Sequence, residues 1–146
     1  MGRAEQRVPR VLGAVLLIVA GAIHLVELPE QETIGLAAGF ALSGLATVAG
    51  ALLLLTRGPR LGWLLGGAAA ALTFIGYVLT RSVGLPRIDE DDIGNWLEPL
   101  GVVSLIVEAL AVAFAIWALT DQYGITTQYA VAEIKAVIPG LTSQEP

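Results

Sequence analysis

The residues best suited to chemistry in this chain are ionisable groups set inside apolar sequence. His24 and Glu27 stand three apart near the end of one apolar run, and Glu108 stands inside another. On a helix, positions i and i+3 share a face, so His24 and Glu27 can touch one object. A bare carboxylate in hydrocarbon costs several kcal/mol, so Glu108 must be protonated, paired with a cation or hydroxyl, or open to a water-filled pocket. Its structural role would be a hydrogen bond to Ser43, Thr47 or Thr73 that pins two helices. Its functional roles would be proton coupling, ligand binding or metal ligation. For His24 the structural alternative is a bond to a backbone carbonyl or to Glu27.

Metal chemistry is open to His24 and Glu27 together with a loop acid, as a low-coordination Zn, Cu or Mn site. The i, i+3 spacing matches one half of the paired motifs in carboxylate-bridged bundle sites, but those need two such pairs and further carboxylates. Haem ligated by two histidines from one chain is excluded, because His24 is the single histidine. The acids from Asp89 to Asp92 lack the glycine and terminal glutamate of an EF-hand and read as a solvated loop. With no cysteine, thiolate metal sites and cysteine nucleophiles are also excluded.

The elements that must position these groups are four apolar runs, 11–28, 34–56, 61–80 and 100–120. Each is long enough, at about 1.5 Å rise per residue, to cross a hydrocarbon core of about 30 Å. A hydrophobic fraction of 55% with 14% charged residues supports the same reading, since soluble domains average about 25% charged. The expected fold is an all-α integral membrane four-helix bundle over 1–120. A tail over 121–146 follows, in which Thr127 to Ile138 forms a short amphipathic helix, and no soluble domain is expected. The first run resembles a signal peptide behind Arg3, Arg7 and Arg10. It is longer than the usual h-region, however, and it leads into His24, Glu27 and Pro29 without a small-x-small cleavage pattern.

Arginine and lysine favour the cytoplasmic side. Arg3, Arg7 and Arg10, then Arg57 and Arg60, then Lys135 place both termini and the Gly58-Pro59 turn on the cytoplasmic side of the cell membrane. The connections 28–33 and 81–99 are then outside, and they hold most of the acids. The net charge of −5 offers no basic face to nucleic acid. Small residues at helical spacing, Gly35, Gly39 and Ser43 with Thr47 on the second span and Gly62, Gly66 and Ala70 on the third, allow close approach of backbones. They are expected to pack span two on span three, the alternative being a homo-oligomer or a larger membrane complex. Trp96 and Trp63 are expected at the two membrane interfaces. No internal repeat supports an inverted-repeat transporter.

On the fourth span Gly101, Ser104, Glu108, Ala111 and Ala115 share one face, which should point into the bundle. Arg81 and Glu98 stand at the two ends of the long outer loop and are placed to clamp it. Glu98 also precedes Pro99 at a helix start, where a carboxylate complements the positive helix end. The expected site is therefore one outward-facing polar pocket formed by His24, Glu27, Arg81, Glu98 and Glu108. It would bind a small ligand, a cation or protons in a transport, binding or accessory subunit. The alternative is a membrane redox or metal-dependent enzyme component in which Glu27 orients His24. No nucleophile–base pair, phosphate loop or dinucleotide motif is present, which weighs against an enzyme, and no cofactor is indicated.

The segments His24-Leu with Glu27 and Pro29-Glu30, then 77–86 (YVLTRSVGLP), then 94–101 (GNWLEPLG) followed by Glu108 resemble a family of small four-span bacterial membrane proteins. The resemblance covers nearly all of the chain before the tail. It implies the four-span architecture and a shared polar site, and it carries no activity with it.

Overall fold

A computed structural model describes residues 7–56, 58–86 and 92–122. Four helices follow one another: α1 Arg7–Glu27, α2 Ile34–Leu55, α3 Pro59–Ser82 and α4 Pro99–Trp117. A 3-10 turn, Leu28–Glu30, continues α1, and a π-helical turn, Ala118–Gln122, continues α4. No strand element occurs among the described residues. All four helices are long and apolar enough to cross a membrane, and the chain reads as a multi-pass membrane protein. The amphipathic helix expected over Thr127 to Ile138 lies outside the described residues.

The helix boundaries follow local chemistry. Pro59 and Pro99 each occupy the first helical turn, where a missing N–H costs nothing. Thr33 caps α2 by accepting the Leu36 N–H at 3.3 Å. Gly84, with φ of 70°, ends α3 in the left-handed region, and its N–H reaches back to the Leu79 carbonyl at 3.1 Å.

The helices form a ring in which sequence neighbours touch and α4 closes back on α1; the α1–α3 diagonal also makes contact. At the end holding the start of α3, packing is backbone-close. A β-carbon on Gly50 would lie 2.7 Å from the Gly66 Cα, and one on Gly62 would lie 2.8 Å from the Gly50 carbonyl oxygen. Gly62 thus packs within the chain against α2, as expected, while Gly66 lies beneath Gly50 of α2 and makes room for Leu17 of α1. The facing stripe on α2 is not the expected one. Gly50 and Leu54 meet α3, while Gly44 and Thr47 pack on α1 around Gly21, and Gly35 and Gly39 are exposed. Residue spacing locates a stripe but not the level at which two tilted helices cross.

Trp63 also departs from expectation. Its side chain is 1% exposed and turns inward, with its indole seated on Gly13 of α1. A glycine at that point supplies the notch that a ring needs, which outweighs the preference of tryptophan for an interface. Trp63, Leu17 and Leu54, with Ala14, Ala51, Ala70, Ala111, Ala115 and Ala118, make the core.

Candidate functional site

The other end of the ring is built from longer side chains and surrounds a partly open cavity of about 1100 Å³. Helix α1 brings His24 and Glu27 to it near its last turn, and α3 brings Tyr77, Thr80 and Arg81 near its own. From its first half α2 contributes Phe40 and Ser43, and α4 contributes Glu98, Gly101, Ser104 and Glu108. All five residues expected in one pocket line this cavity.

Its floor is a buried acid–base pair. His24 Nε2 lies 3.0 Å from Glu108 Oε1, and the Ser104 hydroxyl, one turn earlier on α4, donates to the same oxygen at 2.9 Å. His24 is 6% exposed and Glu108 1%. The imidazole stands edge-on to Phe40, with ring centroids 5.2 Å apart. The contact is close without meeting the geometry of an aligned hydrogen bond, and Nδ1 has no hydrogen-bond partner among the described residues. A buried imidazole with both ring nitrogens short of a hydrogen bond keeps its capacity to donate or accept.

These partners correct the sequence reading. The charge contact of His24 is to Glu108 and not to Glu27. Glu108 bonds along its own helix to Ser104, because Thr47 donates back to Ser43 and Gly44 carbonyls and Thr73 back to Ala69 and Ala70 carbonyls. Threonine in a helix satisfies itself in this way when no partner comes within reach. Among the described residues no three His, Asp or Glu side chains come together as ligands for a metal. Asp89, Glu90 and Asp91, which could supply the loop acid of a metal centre on His24 and Glu27, lie outside the described residues.

The roof is organised by Arg81, which is buried although it is a terminal residue of its helix. It pairs with Asp92, and its Nη2 donates to Glu98 Oε2 at 2.7 Å. Its guanidinium carbon sits 4.8 Å from the centre of the Tyr77 ring, a cation–π contact. The clamp expected between Arg81 and Glu98 is present, and Asp92 adds a third member that the acidic run concealed. Glu98 caps α4 through its backbone alone, its carboxylate having gone to Arg81. The Gly94 N–H bonds to the Arg81 carbonyl at 2.9 Å, and Gly94, with φ of 83°, makes the turn that brings Asn95 and Trp96 back over α3. Trp96 then stands edge-on to Tyr77, whose hydroxyl donates to the Trp96 carbonyl at 3.3 Å.

Tyr77 and Phe40 are the site residues that the sequence reading missed. The available signal for Tyr77 was Gly101: a β-carbon there would lie 2.6 Å from the ring, so the glycine makes room for it. Glu27 is half-buried at the rim and takes part in no ion pair found among the described residues. The arrangement can hold a charge, exchange a proton at the His24–Glu108 pair, and accept hydrogen bonds from a cationic donor. No protein-family model, curated protein or solved structure matches this chain.

Proposed function

We propose that this is a multi-pass protein of the cell membrane that binds a small cationic ligand or protons in the four-helix cavity, as a transport, binding or accessory subunit. The observation that carries the reading is the buried His24–Glu108 pair at the floor of a cavity. An ionisable pair below the level of the loops is expensive in lipid, and function is its usual justification. Glu27 from α1, Tyr77 and Arg81 from α3, Glu98 from α4 and Asp92 from the loop line the same cavity and share its field, while α2 adds the neutral Phe40 and Ser43. The arginine distribution supports cytoplasmic termini and a cavity that opens outward.

The test is the ligand and pH dependence of thermal stability in purified protein. Glu108→Gln keeps an acceptor for Ser104 but removes the charge, and is expected to abolish that dependence; His24→Ala is expected to do the same. A response that survives both changes would make the pair structural only. For orientation, single cysteines at Gly58 and Ser82 can be probed in intact cells with an impermeant thiol reagent. Labelling is expected at 82, and labelling at 58 from outside would reverse the assignment.

A further inference from the structure

The cavity is not closed on the side where α2 faces α3. These two helices touch through Gly50, Gly62 and Gly66 at one end, yet toward the other end a β-carbon on Gly39 or on Gly76 would meet nothing within 4 Å. Both glycines line the cavity, as do Leu36 and Leu72. Leu72 is at the same time 70% exposed. A residue that lines a cavity and faces the outside marks a place where the two are continuous.

The depth of that opening decides what it faces. Gly39 lies five residues into α2, about 8 Å along its axis, and Leu72 lies ten residues before the end of α3, about 15 Å along its axis. With the ends of the spanning helices set at the membrane boundary, the gap opens at the level of the acyl chains and not at the loop surface. Behind it, the cavity lining carries Glu27, Glu30, Glu32, Asp92, Glu98 and Glu108 against Arg81 and His24. Asp92 and Glu98 are taken up by Arg81, and Glu108 by His24. The remaining charge is negative. His24, more than nine-tenths buried and lining the cavity, has its Nε2 beside Glu108, and its Nδ1 has no hydrogen-bond partner among the described residues.

We infer that the ligand is an amphipathic cation, a protonated amine with an apolar body, and that it reaches the cavity sideways from the bilayer between α2 and α3. The ammonium group meets the Glu27 carboxylate, while the apolar body lies along Leu36, Phe40 and Leu72 in the gap. This rests on the proposed cation-binding reading and adds to it the ligand's apolar half and its route.

Three probes separate the parts in protein held in lipid nanodiscs, with binding read by titration calorimetry: octylammonium, octanol and methylammonium. Octylammonium is expected to bind at least about tenfold more tightly than methylammonium, because only its chain buries apolar surface, and octanol is expected not to bind at the site. Glu27→Gln should weaken octylammonium at least about tenfold, the scale of a lost charge-assisted contact. Gly39→Leu combined with Gly76→Leu fills open space, so folding should survive. That variant should reduce octylammonium binding at least about tenfold and spare methylammonium, which carries no chain to place in the gap. Equal binding of octanol, or full octylammonium binding in the filled variant, overturns the inference. If methylammonium binds in a Glu108-dependent way and octylammonium does not, the inference fails while the cation-binding reading stands. If no amine binds and pH has no Glu108-dependent effect, both fail together.

Discussion

The two ends of the bundle are made from the same four helices by opposite means. At one end glycines face glycines or receive a ring, as where Gly50 meets Gly66 and Trp63 seats on Gly13, and no space is left. At the other end, glycines on α2 and α3 face nothing, and charged side chains from three helices and a loop hold the wall apart. In lipid, helices associate through close packing and polar contacts, because hydrocarbon offers no hydrophobic drive between them. The difference teaches that a small residue is only a permission to approach. Whether the approach happens depends on the rest of the two faces, and at Gly39 and Gly76 nothing comes within 4 Å of where a β-carbon would stand.

The most severe way to break the comparison is to empty the closed end. Trp63→Ala should destabilise by about 3–5 kcal/mol, the usual cost of deleting a large buried ring, as read by equilibrium unfolding in mixed micelles. The folded fraction should keep its amine binding, since the cavity lies at the opposite end. Loss of binding without loss of fold would show that the ends are coupled.

A sharper version makes one substitution twice on one helix. Gly50→Ala forces a β-carbon to 2.7 Å from the Gly66 backbone and should cost about 1–3 kcal/mol. Gly39→Ala adds a β-carbon in open space and removes a poor helix former, so it should stabilise by up to about 1 kcal/mol. The two melting shifts should have opposite signs. Shifts of the same sign would mean that the open end is packed like the closed one.

Smaller still is the expected effect of the roof. Arg81→Gln releases Asp92 and Glu98, whose side chains are 38% and 40% exposed, so solvent screening keeps the loss near about 1 kcal/mol. Hydrogen exchange at Gly94, Asn95 and Trp96 should accelerate, because their turn is anchored to Arg81 by backbone and side chain alike. Unchanged exchange there would make the clamp incidental. The smallest shift belongs to Trp63→Phe. It removes a buried Nε1–H that has no hydrogen-bond partner among the described residues, offsetting most of the lost contact, and should stay within about 1 kcal/mol in the same unfolding measurement.

Much of this was legible in the sequence, and the illegible part has a common cause. Apolar length alone locates α1 to α4, and i, i+3 and i, i+4 spacing puts Ser104 and Glu108 on the inner face of α4. The charged residues gather because a membrane leaves them few places to go, so naming five of them as one pocket needed no distances. The partners did need distances. That Glu108 finds His24 while Thr47 and Thr73 turn back on their own helices depends on crossing angles, which a periodic pattern does not encode. Trp63 was misjudged for the same reason: its notch, Gly13, is fifty residues away in sequence. Asp92 looked like one more acid in a solvated run until the Gly94 turn carried it beside Arg81.

The pairing of His24 with Glu108 joins the first helix to the last, and this has a bearing on how the protein is made. A chain emerging from the ribosome delivers α1 to the membrane well before α4 exists. Throughout that interval the imidazole is without its carboxylate, and a chain cut short before α4 never acquires one. The pair is therefore met only when the bundle is complete, and until then His24 is a polar group unmatched within an apolar helix.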